Sequence, residues 1–503
     1  MRTVYLKNFR KGFATNSSST HSVIYRNKED LFKDLDIFEL NYYDRFDNTI
    51  AASKEAKIKY VAANIMWHDK LYEIMSLYYP QMNEYKELIK ETKNKETLYG
   101  DDEKFGMYAR GRLYFGNSKY LEASIDYLRN VIDNDDIIIV GGSDETDFVW
   151  ETIEGHKTLP QPDEINDYND NCNIVKNGNY WVGFGYNGKV RFSNSNDKCI
   201  PSYPELIDLK ITNQCDHGCN FCYMDSNMQG KHADINFLKK IISRLSSNDS
   251  NTYDTRVEFS IGGGNVLLYP HLEELFSFMK EKRHIINTTI NVKDCQKILN
   301  DSNLLKVFKK YVNGIGVSVN SDENINDVKE LKEKLNDTSN YPYYTYKEIV
   351  IHMIPELLGR EKTKNLLKKL YDNNLYDILF LGYKTNGRGV TQKHNRLTNE
   401  DLSYILEDAY SINVDTTFAN TYKDWLQNNF DIKYSITFDE GEYSMYIDGV
   451  TENAYKSSYQ LDKPYNLTCT TMNWQAKNKE WFEVIDAFKN IRKDNGFENI
   501  EKE

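Results

Sequence analysis

The chain is poor in cysteine and proline, with 7 and 9 of them in 503 residues. Cys172, Cys199, Cys295 and Cys469 are scattered, so no disulfide framework is written into the sequence, and a reducing cytoplasm is the expected compartment. No apolar run reaches the roughly 18 residues of a transmembrane helix. Basic excess is missing too: 63 Lys and Arg stand against 76 Asp and Glu, a net charge of −13. That balance argues against a general grip on nucleic acid or anionic membrane, both of which need basic surface, while leaving room for a local basic groove. The first 28 residues lack acids, but no apolar signal-peptide core follows, so a retained N-terminus is expected. What the chain has in plenty is Asn, Lys, Ile and Tyr, the mark of AT-rich coding and of a bacterial or phage origin. Its length suggests roughly two to four domains.

Three zones differ in rhythm. Residues 1–195 show no regular strand–helix alternation and are expected to form an N-terminal α/β accessory region. Helices are predicted within 51–95 and over 119–133, and a short buried strand in "IIIVGG" at 137–142. "YWVGFGYNGKVRFS" at 180–193 reads as a hairpin turning at Asn187-Gly188, a pair suited to a type I′ turn. "TLPQPDEINDYNDNCN" at 158–173 reads as an exposed loop. "KGFATNSSSTHSVIY" near the N-terminus is either an ordered, side-chain-capped loop or a lid over a site elsewhere.

From residue 196 to 397 strands alternate with helix-length segments. "ELIDLKIT" puts Ile207, Leu209 and Ile211 on one face, and a helix follows at 234–247. Further strands are expected at "RVEFSIGG" and near 285–291, 314–320, 346–354 and 377–384. Six strands alternating with helices predict a parallel sheet that curls by right-handed crossovers into a (βα)6 partial TIM-like barrel. The chemistry is then expected in the loops at the C-terminal strand ends. Residues 398–503 read as a C-terminal α+β region, with a hairpin at 443–459 near Asp448-Gly449. A closing helix is expected at 479–496, with Trp481, Ile485, Phe488 and Ile491 on one face and Gly496 as its stop.

The remaining cysteines, Cys215, Cys219 and Cys222, lie in "QCDHGCNFCY", directly after the first of those strands. Thiolates suit zinc, Cu(I) or iron–sulfur clusters. A closed zinc site needs a fourth ligand, for which His217 and His232 are the nearby candidates, although His217 sits strained inside the loop. Three cysteines on a [4Fe–4S] cluster instead leave one iron open to bind a substrate.

"CDHGCNFC" resembles the C-x3-C-x-φ-C motif of the radical S-adenosylmethionine (SAM) superfamily, with Phe221 as the aromatic φ. "SIGGGNVLLYPHLEEL" resembles the family's Gly-Gly-Glu-Pro segment at the end of the second strand. The resemblance spans about 204–390 and implies a [4Fe–4S] cluster held by Cys215, Cys219 and Cys222. SAM would chelate the fourth iron and be cleaved reductively to a 5′-deoxyadenosyl radical that takes hydrogen from a substrate. It further implies SAM contacts from Gly262, Gly263 and Gly264, whose missing Cβ lets backbone approach, and from Ser318 and Asn320 in "GIGVSVN". Where the family has Glu then Pro, this chain has Asn265 and Val266. Asn265 can accept through its carbonyl oxygen but brings no charge to the SAM ammonium. His352 in "IVIHMIP" is expected to be packed or substrate-facing.

"FLGYKTNGRG" at 380–389 resembles the last strand and exit loop of peptide-acting relatives. There Lys384 and Arg388 are expected either to face an anionic group or to lie in a solvated loop. The 443–459 hairpin is similar in outline to the C-terminal extension of such relatives but lacks the cysteines of auxiliary clusters, and Cys199, Cys295 and Cys469 are expected to be structural. The resemblance implies a flavodoxin- or ferredoxin-type electron donor. The first functional expectation is a radical SAM enzyme acting on a peptide or protein side chain. The alternatives are a radical SAM enzyme acting on a nucleotide, nucleic acid or small metabolite, and a noncatalytic metal-binding module.

Overall fold

The computed structural model describes residues 2–11, 21–35, 50–65, 69–85, 118–140, 173–185, 188–193, 195–245, 256–337, 347–407, 409, 411–433, 438–467 and 482–500. The loop at 158–172, the Asn187 turn position, most of the Ser/Thr-rich N-terminal segment, Cys172, Cys469 and Trp481 lie outside the described residues. The chain forms two compact units: Met1–Phe9, Asn27–Ile174 and Tyr180–Cys199, and then Arg10–Arg26, Val175–Asn179 and Ile200–Glu503. Residues 398–503 belong to the same unit as residues 200–397. Strands are numbered along the chain.

The first unit is built on β1 (Arg2–Lys11), β3 (Ile50–Ala51), β4 (Ile137–Val140), β6 (Tyr180–Gly185) and β7 (Gly188–Ser193), in the order β3–β4–β1–β7–β6. β6 and β7 form the antiparallel hairpin that the sequence predicts. The helix Ser118–Asp133 buries Ile125, Leu128, Val131 and Ile132, a stripe at helical spacing. These pack with Val61 and Tyr72 from the helices Lys54–Ile65 and Asp69–Tyr78 into one apolar core. The helical stretch expected at 51–95 is thus two helices; residues 86–95 lie outside the described residues.

The second unit carries the larger sheet. Its strands are β2 (His21–Tyr25), β8 (Leu206–Thr212), β9 (Glu258–Gly263), β10 (Ile285–Asn291), β11 (Gly314–Ser318), β12 (Glu348–Met353), β13 (Ile378–Phe380) and β14 (Ser411–Asp415). β15 (Ser444–Asp448), β16 (Asn453–Tyr455) and β17 (Tyr465–Asn466) complete it. The order is β17–β16–β15–β8–β9–β10–β11–β12–β13–β14–β2. Every pair from β15 through β14 is parallel. β2 and β16 add antiparallel strands at either side. Strands β8–β13 are the (βα)6 partial barrel that the alternation predicts, extended by a parallel strand on each side.

Two of these strands differ from expectation. β14 was not foreseen: "SINVD" has only Ile412 and Val414 to mark it, too few for a periodicity. "HSVIY", the end of the N-terminal segment read as a loop or lid, is strand β2 and pairs antiparallel with β14. The hairpin near Asp448 is present, and the Asp448 carboxylate accepts the Val450 and Thr451 amides to make the turn.

The parity of the strands separates two environments. Ile207, Leu209, Ile211, Phe259, Ile261, Ile315, Val317, Ile349 and Ile351 enter one continuous apolar core with the helices. That core includes Leu238, Ile241, Ile242 and Leu245, the stripe of the helix Ile235–Arg244 and its C-cap. Asp234 caps this helix by accepting the Phe237 amide, a bond worth about 1 kcal/mol. The intervening positions are buried and mostly polar, among them Asp208, Lys210, Glu258, Ser260, Asn287 and His352, with Val350 and Leu379 apolar. The face turned away from the helices is therefore mainly polar.

Candidate active site

The cysteine loop begins where β8 ends. Its backbone is zipped across its own base. The Asn213 amide donates to Lys231 O, the Cys215 amide to Asn227 O and the Asn227 amide to Asn213 O, at 2.8, 3.0 and 3.3 Å. Two residues need left-handed backbone, Gly218 (φ +66°) and Asp225 (φ +53°). Cys215, Cys219 and Cys222 are each partly exposed. All three line a cavity with about 1060 Å3 of empty space, its open mouth included.

The second strand end packs against this loop. The Gly264 amide donates to Thr212 O and the Asn265 amide to Gln214 O, both at 2.7 Å. Gly263 has φ +125°, and a Cβ there would stand 2.3 Å from Thr212 O; at Gly264 it would stand 2.1 Å from Gln214 O. The glycine requirement at these two positions is therefore set by the cysteine loop's backbone. Gly262, Gly263, Gly264, Asn265 and Phe221 all line the cavity. Ser318 lines it too, from the end of β11. Asn320 does not; its Oδ1 accepts the Ile354 amide at 3.2 Å.

Asn265 accepts the Leu267 amide through its carbonyl oxygen at 3.0 Å. Its amide nitrogen donates to Asp216 Oδ1 at 2.8 Å and to Asp294 Oδ1 at 3.2 Å. Lys297 Nζ reaches Asp216 at 2.8 Å and Asp294 at 2.9 Å, while His217 Nε2 bonds Asp294 Oδ2 at 2.7 Å. Burial by itself would raise both carboxyls. The Asn265 and Lys297 bonds outweigh it at Asp216, held down at about 2, and the His217 and Lys297 bonds outweigh it at Asp294, which also lies low. His232, the other candidate fourth ligand, bonds Thr212 Oγ1 through Nδ1 at 2.8 Å.

The far wall is the segment after β13. Leu381, Gly382, Tyr383 and Lys384 line the cavity. Asp415, wholly buried at the end of β14, accepts the Gly382 amide at 2.9 Å, and Glu356 accepts the Tyr383 amide at 2.6 Å. Lys384 is buried, not solvated. Its ammonium lies 5.0 Å from the ring centroids of Tyr223 and Tyr459 and 3.7 Å from Asp415. Burial lowers its pKa against the pull of Asp415, Glu440 and Asp208. His352 also lines the cavity, and burial, helped by the Lys384 charge, pushes it down to about 3, so it is neutral at ordinary pH.

Arg388 is partly exposed and turned onto the cysteine loop. Its guanidinium donates to Cys219 O and Ser226 O at 2.9 Å each and pairs with Asp225 at 2.8 Å. Its amide donates to Cys222 O at 3.0 Å. The exit loop thus clamps the cysteine loop from 166 residues away along the chain (388 minus 222). Sequence reasoning missed Asp216, Asp294, Glu356 and Asp415. Two of them left a local trace: Asp415 as the N-cap of the helix Thr416–Thr421 and Asp294 as the closing residue of the Asn291 capping box.

The donor set fits a cluster. Among the described residues no three His, Cys, Asp or Glu side chains gather around a single ion, and in an iron–sulfur cluster each thiolate meets its own iron. Burial raises the Cys215 and Cys219 thiols, so loading must remove their protons. Cys295 is buried away from the cavity wall, its thiol pushed up to about 12 by burial, and Cys199 is buried as well. No described helix is long and apolar enough to cross a membrane.

Residues 209–375 match the Radical SAM superfamily model. No curated protein matches the chain. Among solved structures, SuiB of Streptococcus suis bound to the precursor peptide SuiA is 16% identical, covering 58% of this chain and 67% of that one at a TM-score of 0.39. The enzyme anSMEcpe with bound AdoMet and a Kp18Cys peptide is 14% identical, covering 57% and 83% at a TM-score of 0.37. The three cysteines stand near the head of the matched segment, which spans about a third of the chain, and the parallel strands β9–β12 lie within it.

Proposed function

We propose that this enzyme abstracts hydrogen from a side chain of a peptide or protein. The observation that carries the reading is the cavity. Its lining runs from the cysteine loop and the glycine turn, where the cofactor would sit, to a second wall after β13 that is left for a substrate. Its far wall is mixed in character, with Leu381 and Tyr383 next to Lys384 and the neutral His352. Such a lining suits one amino-acid side chain entering from an open mouth better than a polyphosphate. The net charge of −13 points the same way against nucleic acid.

Cys215, Cys219 and Cys222 would hold the cluster, and Gly262–Gly264 and Ser318 would border SAM. When bound, this pair supplies a hydrogen-abstracting radical from a single electron, which a flavodoxin- or ferredoxin-type donor would deliver. The protein's part is to fix the cysteine loop through Arg388 and the glycine turn. It also keeps His352 uncharged and holds the far wall rigid through Asp415 and Glu356.

The test is isotope transfer. Short peptides encoded beside the gene are made with deuterated side chains and incubated with reduced, cluster-loaded protein and SAM. Deuterium is expected in the 5′-deoxyadenosine. Transfer from a nucleotide or metabolite and from none of the peptides would overturn the peptide reading. Cys222→Ala is expected to abolish 5′-deoxyadenosine formation and to lower iron and labile sulfide together. About one zinc and no sulfide in the wild type would instead identify a metal-binding module.

A further inference from the structure

The position after the third glycine carries Asn265, so the segment that ends β9 brings no charge toward the ammonium group of SAM. Asn265 already accepts the Leu267 amide through Oδ1, and as a neutral amide oxygen that atom offers an ammonium no formal charge. Its nitrogen is spent holding two carboxylates, Asp216 and Asp294. Asp294 differs from Asp216 in position. It lines the cavity, is 1% exposed, and comes from the loop after β10, where it closes a capping box with Asn291. Around Asn265 stand the carboxylates of Asp216 and Asp294 and the ammonium of Lys297, with the His217 ring bonded to Asp294. Lys297 is nearly half exposed, so solvent screens its charge more than that of Asp294.

We infer that Asp294 supplies the negative charge that compensates the SAM ammonium in this chain. The charge has moved from the β9 segment to the loop after β10, and Asn265 is the bracket that positions it. Anionic partners strengthen a hydrogen-bonded cation well beyond a neutral amide. The inference rests on SAM being the cofactor, and its failure is separable from that of the cofactor assignment: a wild-type protein that holds its cluster yet binds no SAM refutes the assignment itself.

The experiment is a binding cycle on cluster-loaded protein, read by anaerobic calorimetry. The probes are SAM and its analogue lacking the amino group. The analogue also lacks the nitrogen that would meet the iron, but that loss is common to every protein compared and cancels in the cycle. Asp294→Asn is expected to weaken SAM roughly tenfold or more and the analogue less than about twofold. Asp294→Glu should keep the discrimination. Equal weakening of both ligands by Asp294→Asn, or no weakening of either, overturns the inference. Should Asp294→Asn fail to hold its cluster, Lys297→Met decides. It removes the competing cation from an exposed site, and SAM should then bind more tightly than to the wild type while the analogue is unchanged. Unchanged or weaker SAM binding in Lys297→Met overturns the inference.

Discussion

His284 shows at the scale of one residue how burial writes a pH dependence into the fold. Its ring is buried against Phe259, its Nδ1 accepts the Val257 amide at 3.3 Å, and burial first, with nearby cations, lowers its pKa to about 4. Above about pH 6.5 the imidazole is neutral in both folded and unfolded chains and contributes no pH dependence. As pH falls from 6.5 toward 4 only the unfolded chain takes up the proton, so stability is lost across that window, by up to about 3 kcal/mol. His284→Gln is expected to flatten this part of the stability–pH curve, measured by urea unfolding at steps between pH 7 and 4. An unchanged slope would assign the acid sensitivity elsewhere. Residues also show what is readable locally. Cys215, Cys219 and Cys222 were legible because their spacing lies within one loop and one loop holds them. Asp294 was not, because 79 residues separate it from Cys215 (294 minus 215) and only the β8–β9–β10 register brings their loops to one cavity wall.

At the scale of the element, the exit loop after β13 is held by contacts distant in sequence. Gly387 has φ +51°, and a Cβ there would stand 2.7 Å from Tyr223 O and 2.8 Å from Cys222 O. Gly387→Ala is expected to push the exit loop off the cysteine loop at a cost of about 1–3 kcal/mol. Arg388→Ala removes the guanidinium's bonds to two carbonyls and a carboxylate and should cost about 2 kcal/mol. Arg388→Lys, with one point charge in place of a fork, should recover only part of that. In both Arg388 variants the expected signature is a broadened cluster EPR spectrum at unchanged cysteine content. An unaltered spectrum would reduce the clamp to a stability feature. Asp415 serves three groups together: the Gly382 amide, the Phe418 amide at its helix cap, and Lys384. Asp415→Ala takes a paired carboxylate from the buried Lys384 ammonium and is expected to cost about 3 kcal/mol in thermal or chemical unfolding.

The whole molecule places the C-terminal region inside the barrel's own unit. Met445, Ile447, Ala454, Val484, Ile485, Phe488 and Ile491 share one core with Ile207, Leu209 and Leu238. β15 pairs in parallel with β8, the strand that leads into the cysteine loop. A chain ended at residue 437 therefore exposes the edge of β8 and one side of the core. It is expected to lose cooperative unfolding and to fail to retain iron, measured by calorimetry and metal analysis. A truncated chain that melts sharply and keeps its cluster would show residues 438–503 to be dispensable to the barrel. The register of β15 on β8 was beyond sequence reading, since a five-residue strand joined to one more than 200 residues earlier leaves no local mark.

By itself the sequence determined the kind of chemistry and the repeating element that carries it. Three soft ligands in one short loop can be read without knowing what surrounds them, and apolar residues at period two or near four report which face of a strand or helix is buried. Tertiary structure alone decided how the site is charged and held. The ion pairs of Asp294, the clamp of Arg388, the burial of Lys384 and the support of Gly382 by Asp415 each join residues from separate strand ends. Electrostatics and hydrogen bonding act over a few ångströms of space, and a parallel sheet places in contact loops that the chain keeps scores of residues apart.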